Sequence, residues 1–142
     1  MGRYAFVEGI AIADCAMDVE GESLDDLFAT AARAVADVMV APATVARDVE
    51  RRVDLAAPSV DLLLYDWLSE LIFLKDTEEA VFPGVEVRVT RGEPCRLSAR
   101  LQGGVIDRER TETRADVKAV TFHQFTVEPS AGGWRARVVL DI

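Results

Sequence analysis

The sequence holds 142 residues, half of them apolar and 29% charged, with a mean hydropathy of +0.12 and a formal net charge of −9. That is enough chain for one domain with a real core, spanning residues 1–142, and too little for two ordinary ones. No apolar run exceeds four residues, as at Leu71-Ile72-Phe73-Leu74, which excludes a membrane-spanning helix and a signal-peptide core. Phe6 stands where a myristoylation signal needs Ser or Thr, so a cytoplasmic protein without membrane association is expected.

Charge is uneven along the chain. Residues 1–80 carry 17 acids and 6 bases, whereas residues 81–142 carry 8 acids and 10 bases. Duplex nucleic acid, whose affinity comes from neutralised phosphates, is repelled by most of such a surface, so strong direct nucleic-acid binding is not expected. A basic protein partner or a bound cation suits this balance better.

Residues 4–20 read as extended chain, with Gly9 marking a bulge or bend. From Ala13 onward Cys15, Met17 and Val19 alternate with Asp14, Asp18 and Glu20, the pattern of a half-buried strand. Ser23 is placed to cap a helix, with Asp25 and Asp26 at its positive end. Leu24, Leu27, Phe28, Ala31, Val35, Val38 and Met39 recur at helical spacing, and Pro42 follows. Residues 45–55 form a weaker strand candidate. A second helix is expected from Pro58-Ser59, with Leu63, Leu64, Trp67, Leu68, Leu71 and Ile72 as its apolar stripe, and Phe82-Pro83-Gly84 closes that region.

The remainder reads as strands. Val85, Val87 and Val89 alternate with charged partners, and a turn at 91–94 leads into Cys95, Leu97, Ala99 and Leu101. Residues 102–116 are polar and read as a loop. Residues 117–127 are apolar on both faces, which predicts a central strand. Gly132-Gly133 turns into a last strand carrying Trp134, Ala136, Val138 and Leu140. The expected fold is α+β: mainly antiparallel or mixed β-sheets packed with about two amphipathic helices.

Few residues suggest catalysis. There is no Gly-rich phosphate loop, no G-x-S-x-G elbow and no H-E-x-x-H. Cys15 and Cys95 sit at apolar phases and read as buried free thiols. His123 is the sole histidine, for which a structural hydrogen bond competes with partner recognition. Lys118, on the opposite strand phase, reads as a salt-bridge donor or a partner contact. Arg108, Arg110 and Arg114 are mixed with acids, as in a solvated loop. Asp14 and Asp141 are of more interest: if the first and last strands are neighbours, two side-chain carboxylates and the terminal carboxylate of Ile142 converge. Hard divalent cations prefer such oxygen ligands. Surface aspartates without any ligand remain the simpler reading.

The string Lys118-Ala119-Val120-Thr121-Phe122-His123 resembles the K-A-V-T-[YF]-H signature of the archease proteins. Gly132-Gly133-Trp134 and the ending Val138-Val139-Leu140-Asp141-Ile142 are similar to the archease C-terminus, and residues 63–73 to its second-helix pattern. Asp14 falls where the family's H-T-A-D motif ends, although here the motif reads Ala11-Ile12-Ala13-Asp14 and lacks the His. The resemblance implies a non-enzymatic accessory protein for an RtcB-type RNA ligase in tRNA splicing or RNA repair. Such a protein promotes guanylylation and multiple turnover of the ligase. It also implies a divalent cation, Ca2+ first with Mg2+ or Mn2+ as alternatives, held by Asp14, Asp141 and Ile142. A chaperone-like modulator of another RNA-processing enzyme, such as a tRNA methyltransferase, is the alternative that the same resemblance suggests. An independent metal-dependent hydrolase lacks a positioned base.

Overall fold

A computed structural model describes residues 2–7 and 14–142. The elements in chain order are β1 (Arg3–Val7), β2 (Asp14–Gly21), α1 (Leu24–Met39), β3 (Val49–Ala57), α2 (Val60–Glu78), β4 (Ala80–Thr90), β5 (Cys95–Val105), β6 (Ala119–Ser130) and β7 (Gly133–Asp141). They build a four-stranded sheet, β1-β2-β7-β6, and a three-stranded sheet, β3-β5-β4. Among the described residues every strand pairing is antiparallel. The α+β expectation holds, and the sheets are not mixed.

The helices lie between the sheets: α1 touches β2 and β4, and α2 touches β3 and β6. A helix in the middle layer must be apolar on more than one stripe. α1 achieves this with small residues, burying Thr30, Ala32, Ala34 and Ala36 as well as the predicted Leu27, Phe28, Ala31 and Val35. Its N-terminus is capped as expected, the Ser23 hydroxyl accepting the Asp26 N–H at 3.1 Å. α2 carries the largest fully buried side chain, Trp67, whose indole N–H donates to the Phe28 carbonyl at 3.0 Å and ties the two helices together. That bond satisfies the one polar atom Trp brings into the core.

Several boundaries differ from the sequence expectations. The single extended stretch expected over 4–20 is replaced by two antiparallel strands, Arg3–Val7 and Asp14–Gly21, with Tyr4 opposite Val19 and Phe6 opposite Met17; Gly9 and Ala11-Ile12-Ala13 lie outside the described residues. The weak strand at 45–55 is β3, shifted to Val49–Ala57. Phe82-Pro83-Gly84 does not end a region but sits inside β4, where the register slips between Val81 and Gly84. The slip brings β4 backbone so close to Gly103 that a Cβ there would collide with the Val81 carbonyl, which explains a glycine inside a strand. β5 accordingly runs on to Val105 rather than stopping at 101.

The predicted central strand is an edge. β2 and β7 occupy the middle of the four-stranded sheet and β6 lies outside them. β6 is apolar on both phases because its regular alternation is interrupted. Thr121 pairs with Val139 and Thr126 with Arg137, so the four residues 122–125 oppose Val138 alone. This wide bulge turns Phe122 and Phe125 onto α2, where Phe122 stacks on Tyr65 with ring centroids 4.2 Å apart. Bulges on edge strands are a common means of re-aiming side chains. Among the described residues, no helix is long and apolar enough to cross a membrane.

Candidate functional site

The middle of the four-stranded sheet joins the two ends of the sequence. β2 and β7 run antiparallel with Asp14 paired to Asp141, Ala16 to Val139 and Asp18 to Arg137. Side chains at paired positions project from the same face, so Asp14 and Asp141 stand side by side at the sheet corner. The underside of the corner is anchored by Leu140, fully buried, between Cys15 and Val120. The carbonyl of Asp141 accepts the backbone N–H of Lys118 at 2.7 Å, which fixes the start of the K-A-V-T-F-H segment against the end of β7. Ile142 is half-buried and its side chain packs on the core, which holds its main-chain oxygens next to Asp141.

Among the described residues neither the Asp14 nor the Asp141 side chain takes part in a hydrogen bond or ion pair. Like charges directly opposite each other on neighbouring strands are destabilising. With Cβ atoms about 5 Å apart and the carboxylates in solvent, the repulsion is on the order of 1 kcal/mol. Among the described residues no hydrogen bond or ion pair of either side chain offsets it. Two carboxylates and main-chain oxygens are a hard donor set, and the chemistry of that set fits a divalent cation of the Ca2+ or Mg2+ kind. No group of three or more His, Cys, Asp and Glu side chains is assembled for a metal among the described residues. Any third ligand beside these two carboxylates would be a main-chain oxygen.

The neighbouring position resolves the same electrostatic problem differently. Asp18 accepts two hydrogen bonds from the Arg137 guanidinium, at 2.7 and 2.9 Å. These bonds hold the Asp18 carboxyl below its ordinary range, against a smaller opposing effect of burial. A carboxylate engaged in a bidentate pair is not a free ligand. Asp18 is thus separated from the corner both by this pairing and by its distance of about 13 Å along the strand.

The remaining predicted residues are placed as follows. Lys118 is exposed, and its side chain makes no ion pair or hydrogen bond among the described residues, so the salt bridge expected of it is absent there. His123 is exposed in the β6 bulge; among the described residues only its backbone N–H is engaged, donating to the Thr121 hydroxyl at 3.3 Å. The expectation of a structural histidine in phase with Thr121 and Phe125 fails because the bulge breaks that phase. Gln124 beside it adopts the left-handed conformation, φ 52°, which β-strand periodicity does not reveal. Cys95 is buried and Cys15 half-buried, both free, and burial pushes the Cys15 thiol up. The Cys15 thiol is therefore not an activated nucleophile.

Two features escaped the sequence reading. One is the Asp18–Arg137 pair, for which only the opposite charges in two alternating strands gave a signal. The other is the clamp at Lys75, which bonds Asp116 at 2.5 Å and the Val117 carbonyl at 2.8 Å. Burial opposes the Lys75 charge, and Asp116 and Asp76 more than offset it, leaving its pKa raised. The clamp pins the 106–118 connection to the end of α2 and thereby positions the segment leading to Lys118.

A profile of the Archease protein family matches residues 4–142. The chain belongs to the archease family. It is 36% identical over 142 residues to Protein archease of Methanosarcina mazei, covering 99% of this chain and 96% of that protein. It is 36% identical over 140 residues to that of Archaeoglobus fulgidus, covering 99% of each. Protein 1598 of Methanobacterium thermoautotrophicum, known from a solution structure, matches with a TM-score of 0.80 and 33% identity over 98% of both chains. The crystal structure of an archease from Thermotoga maritima, described as a possible chaperone, shares the fold at a TM-score of 0.62 and 19% identity, over 96% of this chain and 97% of that one. Archease membership agrees with the motifs that carried the resemblance, three of which lie in β6, β7 and α2.

Proposed function

We propose that this archease is a non-catalytic partner that activates an RtcB-type RNA ligase, promoting its guanylylation and multiple turnover, through the Asp14–Asp141 corner. The observation that carries the reading is the in-register pairing of two uncompensated carboxylates contributed by opposite ends of the sequence. Asp14, Asp141 and the main-chain oxygens of Ile142 would hold the cation, with Ca2+ first and Mg2+ or Mn2+ as alternatives. A bound divalent ion supplies a concentrated positive charge that hard oxygen ligands of a nucleotide or a partner can share.

The chain's own residues do the rest. Asp14 and Asp141 set the place of the charge on a rigid sheet corner, and Leu140 holds the backbone beneath it. Lys118, whose N–H bonds the Asp141 carbonyl, and His123, exposed in the β6 bulge opposite Val138, are the proposed partner contacts. The net charge of −9 steers the protein towards a basic nucleic-acid-binding groove while keeping it off the RNA itself. The expectations of no membrane role and of a cytoplasmic setting belong to the same proposal.

The test is to mix the protein with the RtcB-type ligase of the same genome, GTP and Mn2+, and to follow ligase–GMP formation and turnover. The reading expects stimulation by the wild type and its loss in Asp14→Ala and in Asp141→Ala, with both variants folded. Stimulation that survives both substitutions would overturn the role of the corner, and no stimulation at all would overturn the ligase as partner.

A further inference from the structure

α2 has an outward face that the fold does not cover. Leu62, Tyr65, Ser69 and Phe73 stand at successive turns, a stripe of about 16 Å at 1.5 Å per residue. Phe73 is 57% exposed and Leu62 38% exposed. Next to the stripe the β6 bulge adds Phe122, 61% exposed and stacked nearly parallel on Tyr65 at 8°. Phe125 closes on both rings edge-on, at 6.1 and 6.2 Å. Exposed large side chains scattered singly need no explanation, but Tyr65, Phe122 and Phe125 form one cluster from two elements, with Leu62 one turn and Phe73 two turns away along the same helix face. The bulge places an aromatic ring in solvent at the position where a regular strand would have continued its alternation.

The charges beside the stripe identify what covers it. Asp66 and Glu70 flank Leu62 and Phe73 on the helix surface, and neither makes an ion pair or a hydrogen bond among the described residues. Asp61 lies on the other flank and is bonded by the Ser59 hydroxyl. An apolar stripe edged by unpaired acids complements an apolar stripe edged by Arg or Lys. A second copy of this chain docked face to face would bring Asp66 and Glu70 against their own images, and like charges in apposition disfavour it.

We propose that the α2 face and the β6 bulge together form a docking surface for a basic amphipathic segment of another protein, with Tyr65, Phe73 and Phe122 as aromatic anchors. Aromatic anchors ringed by polar residues are the usual centre of such interfaces, and an amphipathic helix laid on an apolar face is a recurring mode of recognition. This goes beyond the ligase reading: the surface stands whichever protein carries the segment. In the ligase reading it would supply affinity, and the carboxylate corner would supply the effect.

The test titrates a synthetic amphipathic Leu/Arg helical peptide into the 15N-labelled protein. Shifts are expected to concentrate in residues 61–73 and 119–126. The Phe73→Ser/Phe122→Ser double variant, altered only at exposed positions, is expected to weaken binding at least tenfold, and Asp14→Asn to leave it unchanged. Shifts spread over acids throughout the molecule, or equal affinity for the double variant, would overturn the surface. Sedimentation that shows a wild-type dimer abolished in the double variant would also overturn it, in favour of self-association. With the ligase, the same double variant is expected to raise the concentration for half-maximal guanylylation about tenfold while leaving the plateau intact. If the peptide maps as expected and this concentration does not move, the surface stands and the ligase is not its partner.

Discussion

On the same two strands, and on the same face of the sheet, the protein places two acidic positions four residues apart and treats them in opposite ways. At Asp18 the cross-strand neighbour is Arg137, and the pair closes in a bidentate contact. At Asp14 the cross-strand neighbour is Asp141, and among the described residues neither side chain takes part in an ion pair. The first arrangement is what stability alone selects. The second retains a repulsion that a single Asp→Asn exchange would remove, and such local conflict is more often found at functional positions than in scaffolding. The proposed function rests on that difference: Asp18 ties β2 to β7 through Arg137, whereas Asp14 and Asp141 leave two carboxylates side by side.

The comparison breaks most completely if the sheet beneath it is loosened. Leu140→Ala removes a fully buried side chain under the corner and should cost about 2–5 kcal/mol in chemical denaturation. It should weaken both positions together, so a loss confined to one of them would contradict their shared support.

Next in size, Asp141→Asn in metal-free buffer should leave stability unchanged or raise it by roughly 1 kcal/mol, because it removes a like-charge pair. A clear destabilisation by urea titration would mean that the carboxylate is structural. Asp18→Asn should have a smaller effect of opposite sign. The Asp18 pKa lies below its ordinary 3.8 in the folded state, so its contribution is present above pH 4 and fades as pH falls through the lower folded value. The stability difference between wild type and Asp18→Asn should therefore vanish in strong acid, and a difference that persists there would remove the ion pair as its cause.

An alkaline control lies outside the corner. Burial, and then the hydrogen bond to Asp37 at 2.7 Å, raise Tyr4 from its ordinary 10.0 to about 12. A raised phenol pKa stabilises the fold fully below pH 10 and loses that contribution as pH climbs towards 12. Tyr4→Phe should flatten that loss without altering the behaviour of Asp141→Asn, and coupling between the two would show that β1 and the corner are not independent.

The parts legible in the sequence are those written in local periodicity. The α1 stripe from Leu24 to Met39, its Ser23 cap, the hairpin turn at 91–94 and the alternation of β7 all follow from spacing. The parts that were not legible depend on what lies across the chain. Only pairing reveals that β6 is an edge, and four residues opposite one at 122–125 leave no periodic trace. Asp14 and Asp141 were each readable as acids on polar phases, but their juxtaposition is a property of sheet order. The archease motifs suggested it, and the β2–β7 register supplies it.

The most direct test of the corner is isothermal titration of Ca2+ into the metal-free protein, with Asp14→Asn and Asp141→Asn beside the wild type. The account predicts saturable binding to the wild type and its loss in either variant, each retaining the wild-type circular dichroism spectrum. Binding that persists undiminished when either carboxylate is removed would contradict it.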